Sequence, residues 1–304
     1  MEQIKIGGIL PASRIAMGCM RLAGAQHSVD EIMETAVERG INFFDHANIY
    51  GGGECERIFG EYIKEHPSFR DNIILQTKCA IKPHQSYDFG KDYIIKCVDE
   101  SLQRLCTDHI DVLVLHRPDV LMEPEEVALA FDCLESAGKV AHFGVSNHNP
   151  YQIELLKTAV KQPIITNQMQ FSVMEAGMVT AGLNVNMKND ESYMHDAGTL
   201  EYSRIKNITI QTWSPFQAGR QKKPFIGNPD YPEINAKLEE MAEKYNSTPT
   251  GIATAWILRL PCKMQLISGS MNPTRIREIC AGAEIKLEHD DWYQIYLAAG
   301  YCLP

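Results

Sequence analysis

Ile110-Asp111-Val112-Leu113-Val114-Leu115-His116 is the stretch on which the fold turns. Its apolar residues are not separated by a regular polar alternation, so both faces of this segment want to be buried. That is the signature of a strand inside a parallel sheet rather than of a half-solvated antiparallel one. The run also stops on an ionisable side chain. Working outward, the same kind of run recurs at 15–20, 41–45, 73–78, 140–146, 164–168, 208–213 and 264–268. Each is about five to seven residues of mostly β-branched or large apolar type, the length of a buried strand.

The stretches between have helical spacing and recognisable ends. Ser28 precedes 29–39 with Glu31 three residues on, which predicts a capping box, and Gly40 stops that helix. Segments 91–105, 124–137 (closed by Gly138) and 149–160 read the same way. A helical pair at 233–245 and 250–260 precedes the last strand, and 273–281 and 289–299 follow it. Eight strands alternating with helices predict α/β architecture of the (β/α)8 TIM-barrel type. A chain of 304 residues suits one such domain spanning 1–304. Segment 5–11 reads as a short hairpin plugging the barrel bottom, and 171–199 as a long irregular loop, either a substrate-side flap or a surface insertion. A doubly wound dinucleotide-binding sheet would need G-x-G-x-x-G after an early strand. Gly51-Gly52-Gly53 follows a tyrosine instead and lacks that form.

Composition bounds the partners. The chain is 44 % hydrophobic and 22 % charged, ordinary for a globular protein. Its formal charge of −10, without basic clusters, argues against gripping a nucleic-acid backbone or an anionic membrane surface. No apolar stretch approaches a membrane span, and the start Met1-Glu2-Gln3-Ile4-Lys5 has no signal-like segment. Nine scattered cysteines without a C-x-x-C pair point to reduced, mostly buried thiols in a cytoplasm. The methionines near 169–194 read as packing and surface residues. Asp45, His46 and His116 lack the strand-one H-x-H of metal-dependent barrel hydrolases, so no metal is expected.

In a barrel, chemistry gathers where strands end. Asp45 ends the second strand and Tyr50 follows five residues later; Lys78 ends the third strand and His116 the fourth. Charged groups at the ends of buried apolar strands are costly unless paired or functional. A lysine beside a tyrosine favours the phenolate and is expected to lower the phenol pKa, with an aspartate holding the lysine charged. A neutral imidazole can donate a hydrogen bond to a carbonyl oxygen. Together they suit reduction of a carbonyl, the tyrosine delivering the proton and a cofactor the hydride.

The strings Asn42-Phe43-Phe44-Asp45-His46-Ala47-Asn48-Ile49-Tyr50-Gly51, Gln76-Thr77-Lys78, Leu115-His116-Arg117-Pro118-Asp119 and Gly144-Val145-Ser146-Asn147-His148 carry a resemblance to the aldo/keto reductases. It runs over essentially the whole chain, is nearest to the bacterial general aldo/keto oxidoreductases, and matches the family's catalytic Asp, Tyr, Lys and His with Asp45, Tyr50, Lys78 and His116. The resemblance implies a nicotinamide site of Gly18, Met20, Arg21 and Asp45, with Ser146, Asn147 and Gln168 on the carboxamide and Trp213 stacked on the ring where the family usually has tyrosine. Ser214, Phe216 and Gly219 would close over the pyrophosphate, with Lys222 and Lys223 read as a solvated loop. Ser268, Gly269, Ser270, Arg275 and Glu278 would hold the adenosine end. Arg275 suits a 2′-phosphate and favours NADPH, although Gly269 stands where some members carry lysine and Ile279 where many carry asparagine, which leaves NADH open. The implied activity is NAD(P)H-dependent reduction of a small-molecule carbonyl substrate by a monomer. The alternative is a cofactor-binding regulatory subunit with little turnover; the complete tetrad and the lack of a long N-terminal extension speak against it. The short tail Tyr301-Cys302-Leu303-Pro304 predicts an open pocket and broad carbonyl specificity.

Overall fold

The computed structural model describes residues 1–219 and 222–304. Eight parallel strands form a closed ring: β1 (Ile15–Gly18), β2 (Phe43–Asp45), β3 (Ile74–Cys79), β4 (Ile110–Leu115), β5 (Val140–Ser146), β6 (Ile164–Gln170), β7 (Thr209–Trp213) and β8 (Met264–Ser268). Each strand pairs with its neighbours in chain order, and β8 closes on β1 through Leu266↔Ile15, Ile267↔Ala16 and Ser268↔Met17. Chain-order pairing is what short right-handed strand–helix–strand crossovers give. This is the expected (β/α)8 barrel.

The predicted plug is present. Gln3–Ile6 pairs antiparallel with Leu10–Ser13, and Ile6 and Ala12 pack with Phe43, Ile74, Val112, Val114, Ile165 and Ile267 inside the ring. Its turn needs glycine at Gly7: φ is +58°, and a Cβ there would sit 2.5 Å from the Ile165 Cβ.

Several boundaries differ from expectation, each for a local reason. The 15–20 run stops as a strand at Gly18 because Cys19–Gly24 winds into a 3-10 turn that enters the barrel mouth. Strand two begins only at Phe43, and the 149–160 segment is helical only over Pro150–Leu156. The 171–199 segment is not wholly irregular: Gly177–Leu183 is helical, and Thr180 accepts a hydrogen bond from the Tyr296 hydroxyl at 3.1 Å. The Ala176 N–H donates to the Tyr301 hydroxyl at 2.9 Å. This segment is therefore fastened to the C-terminal helix His289–Ala298, and no residue of it lines the main cleft. Among the described residues no helix is long and apolar enough to cross a membrane.

Candidate active site

The ends of β2, β3 and β4 place Asp45, Lys78 and His116 at one side of the mouth. Tyr50 arrives from the turn after β2, where Gly51, Gly52 and Gly53 (φ +57°, +67° and +92°) let the chain double back into helix Glu54–Glu65. Lys78 is fully buried, and its ammonium donates to three acceptors: a carboxylate oxygen of Asp45 at 2.8 Å, the His46 carbonyl at 2.7 Å and the Tyr50 hydroxyl oxygen at 3.0 Å. An ammonium has three N–H groups and no acceptor, so this set satisfies it completely. Because Lys78 only donates, the Tyr50 oxygen accepts there and the tyrosine's own O–H proton is left for another partner. His116 stands edge-on to the Tyr50 ring, centroids 6.0 Å apart, and its Nδ1 has no hydrogen-bond partner.

The electrostatics correct one expectation. The Tyr50 phenol lies above its ordinary value of 10.0, not below it. Burial raises it; the Lys78 ammonium pulls it down but is outweighed, and Asp45 adds to the rise. Lys78 is likewise raised, the pull of Asp45 and Tyr50 overcoming burial. His116 is driven well below 6.5 by burial, with the charges of Lys78 and Arg117 acting in the same direction. At neutral pH the centre thus holds a charged lysine, a protonated phenol and a neutral imidazole.

A feature missed from the sequence sits beneath it. Gln76, Gln211 and Gln265, all fully buried on β3, β7 and β8, form an amide ladder inside the barrel. The Gln76 amide donates to Asp45 Oδ1 at 2.6 Å and to Gln211 Oε1 at 2.9 Å. Gln211 donates to Gln265 at 2.8 Å, and Gln265 to the Ser13 carbonyl at 2.8 Å. The signal was a single glutamine inside each of three runs that bury completely or nearly so.

A cleft of about 910 Å³ opens over the four residues. Of the residues expected there, Gly18, Met20, Arg21, Asp45, Tyr50, His116, Ser146, Asn147, Gln168, Trp213, Ser214, Phe216, Gly269, Ser270 and Arg275 line it. Lys78 lies behind the wall. Gly219, Ser268 and Glu278 do not line it either, and Lys222 and Lys223 are exposed outside it. Ser146, Asn147, Gln168 and Trp213 are joined in one hydrogen-bonded chain. The Trp213 ring N–H donates to Asn147 Oδ1 at 3.2 Å, the Asn147 amide to Ser146 Oγ at 2.7 Å, and the Ser146 hydroxyl to the Gln168 carbonyl at 2.9 Å. The Gln168 side-chain amide donates to Asp45 at 3.1 Å, leaving its carbonyl oxygen as the group it can offer. Ile279 is fully buried in the core and does not line the cleft.

The model of the Aldo/keto reductase family matches residues 14–297. Among curated proteins, the chain is similar to "Uncharacterized oxidoreductase YcsN" of Bacillus subtilis (strain 168), at 35 % identity over 100 % of both chains. It is also similar to "6-dehydroglucose reductase" of Agrobacterium fabrum (strain C58 / ATCC 33970), at 31 % identity over 98 % of each. Among solved structures, the fold matches a thermostable aldo-keto reductase, Tm1743, with TM-score 0.76 at 21 % identity over 98 % of this chain and 100 % of that one. The glycerol dehydrogenase AKR11B4 from Gluconobacter oxydans matches equally, TM-score 0.76 at 21 % identity over 97 % and 94 %.

Proposed function

This chain belongs to the aldo/keto reductase family, and from that premise we propose that it reduces aldehydes or ketones to alcohols with NADPH, Tyr50 supplying the proton. The observation that carries the reading is the buried Lys78 ammonium, which donates to the Tyr50 oxygen and so leaves the phenolic proton for the substrate.

The residues present fit a nicotinamide dinucleotide. The cleft takes in both the Tyr50–His116 corner and the start of helix Pro273–Gly282, and a Cβ built at Gly24 or Gly269 would meet nothing within 4 Å. Ser146, Asn147, Gln168 and Trp213 would hold the nicotinamide; Ser270 and Arg275 would hold the adenosine, the guanidinium matching a 2′-phosphate by its planar fork. With no lysine at 269 and Ile279 in the core, phosphate selection rests on Arg275, which leaves NADH as a second cofactor. When bound, the reduced nicotinamide supplies a hydride to the carbonyl carbon.

The rest is the work of this chain. His116, neutral, donates a hydrogen bond to the carbonyl oxygen and fixes its direction. The Tyr50 O–H proton moves to that oxygen as negative charge gathers on it. Lys78 stabilises the phenolate left behind, and Asp45 keeps Lys78 charged and in place. With the phenol above its ordinary value the acid form is the populated one at neutral pH, and the Lys78 ammonium is what eases the loss of its proton.

The test is NADPH oxidation with a panel of aldehydes, ketones and quinones, beside Tyr50→Phe. Turnover in the parent and a loss of about a hundredfold or more in the variant are expected, from the usual worth of a general acid. NADPH fluorescence quenching should persist in both. Binding without turnover in the parent would overturn the reading in favour of a regulatory subunit, and absence of binding would remove the cofactor assignment.

A further inference from the structure

Glu56 is a carboxylate with no exposed surface that neither lines the cleft nor belongs to the group of Asp45, Tyr50, Lys78 and His116. It lies in the first turn of helix Glu54–Glu65. One of its oxygens accepts the Thr77 hydroxyl at 2.6 Å, and the other accepts the Arg104 Nε–H at 2.7 Å. Arg104 comes from helix Lys91–Leu105 and donates also to the Ser101 hydroxyl at 3.2 Å. A buried carboxylate stripped of its partners is strongly destabilising, so these bonds are what keep it charged in that place.

What the bonds join is the two halves of the Tyr50–Lys78 pair. Thr77 immediately precedes Lys78 on β3. Successive side chains of a strand leave on opposite faces, so Lys78 enters the mouth while Thr77 turns outward to the helices. Tyr50 is held from its two sides. Upstream, the Asn48 N–H donates to the Lys78 carbonyl at 3.0 Å and continues the β2–β3 ladder almost to the tyrosine. Downstream, the backbone freedom of Gly51, Gly52 and Gly53 would leave Tyr50 on a slack tether. Helix Glu54–Glu65 takes up that slack, and Glu56 bonds the helix to β3. Arg104 braces the last glycine as well, since a Cβ on Gly53 would lie 2.9 Å from the Arg104 Cδ.

We infer that Glu56 is a positioning residue for carbonyl reduction: through Thr77 and Arg104 it sets the Tyr50 hydroxyl at bonding distance from Lys78. This rests on the reductase reading, in which the hydrogen bond from Lys78 strengthens as Tyr50 gives up its proton. A tie that fixes this spacing acts on the transition state and not on the binding of cofactor.

The experiment is single-turnover oxidation of enzyme-bound NADPH, with the aldehyde or ketone that the parent reduces fastest, at saturating concentration. It compares the parent, Glu56→Ala, Thr77→Val and Thr77→Ser, each rate being taken per cofactor bound by fluorescence quenching. That normalisation removes any loss of folded protein, which is all that a purely structural role would produce. Thr77→Val keeps the β-branched shape and loses only the hydroxyl. Its rate should fall about tenfold or more, because a displacement of about 1 Å can cost a hundredfold. Glu56→Ala should fall alongside it, Thr77→Ser should recover most of the rate, and NADPH affinity should stay unchanged in all. Should either single variant fail to fold, Glu56→Gln with Thr77→Val gives the same reading without an unpaired buried carboxylate. Parent-like rates in Thr77→Val and Glu56→Ala would overturn the inference and leave the reductase reading standing. Thr77→Ser as slow as Thr77→Val would do the same, since packing and not the hydroxyl would then be at work. A loss of rate matched by a loss of NADPH affinity would move the effect to the cofactor and again overturn it. If the parent binds NADPH and reduces no carbonyl, the reductase reading falls and takes the inference with it.

Discussion

Lys78 has no exposed surface, and an unpaired ammonium in that position would be unaffordable by several kcal/mol. Its three donated hydrogen bonds are what let it remain charged, and they set the states of its neighbours. With Tyr50 above 10.0 and His116 well below 6.5, both groups keep their active forms between those values. The rate of carbonyl reduction at saturating cofactor should therefore stay level from about pH 7 to about pH 9. A fall inside that window would show that Tyr50 is not the protonated donor. His46, on the far side of the same lysine, behaves differently. It is fully buried against Phe59, ring centroids 4.5 Å apart, with neither ring nitrogen partnered. Burial, with the Lys78 charge adding to it, holds it down to about 3 against an ordinary 6.5. Below pH 6.5 the unfolded chain takes up a proton that the folded chain refuses, so stability drains as pH falls toward 3. Between pH 8 and pH 5 this one residue costs about 2 kcal/mol. In His46→Leu the difference between urea unfolding free energies at those two pH values should shrink by about that amount; an unchanged difference would rule out a buried neutral imidazole. That Asp45, Tyr50, Lys78 and His116 meet at one side of the mouth was legible in the sequence, because three of them fall at strand ends and Tyr50 follows five residues after the second strand. The direction of the phenol shift was not, since it depends on burial that only the folded mouth creates.

At the scale of elements, caps and strands were readable and their edges less so. Ser28 caps helix Val29–Glu38 through the Glu31 N–H at 3.2 Å, but the expected box is half made, because the Glu31 carboxylate turns to His27 at 2.9 Å. The full box is at Asn149 and Gln152, each side chain accepting the other's backbone N–H at 2.9 Å. Helix Gly177–Leu183 escaped notice for a physical reason. Its two glycines give it poor intrinsic propensity, and packing against the core and Tyr296 is what winds it. The glutamine ladder escaped because no periodicity reports on which residues meet inside a closed ring. Its central member offers the sharpest test. In Gln211→Leu the amides of Gln76 and Gln265 lose their partner, and two to three buried polar groups are left unsatisfied. The variant should lose about 2–4 kcal/mol in urea unfolding. A loss below about 1 kcal/mol would mean that the ladder is replaceable by apolar packing.

For the whole molecule, ring and plug could be read from eight apolar runs and one glycine turn. What could not be read is the cleft, which belongs to no single segment and draws its wall from at least six loops. The contrast between an acidic exterior and an arginine-lined mouth also appears only when distant residues are brought together. The ladder has one more implication, and it concerns time. It ties the Ser13 carbonyl to Gln265, Gln265 to Gln211, and Gln211 to Gln76 beside Asp45, across separations of 252, 54 and 135 residues. The carboxylate that anchors Lys78 is thus fixed from the last strand of the chain as much as from its own. Because the ladder is complete only when β8 closes on β1, activity regained on refolding is expected to follow closure of the ring and not the formation of β2, β3 and β4 alone.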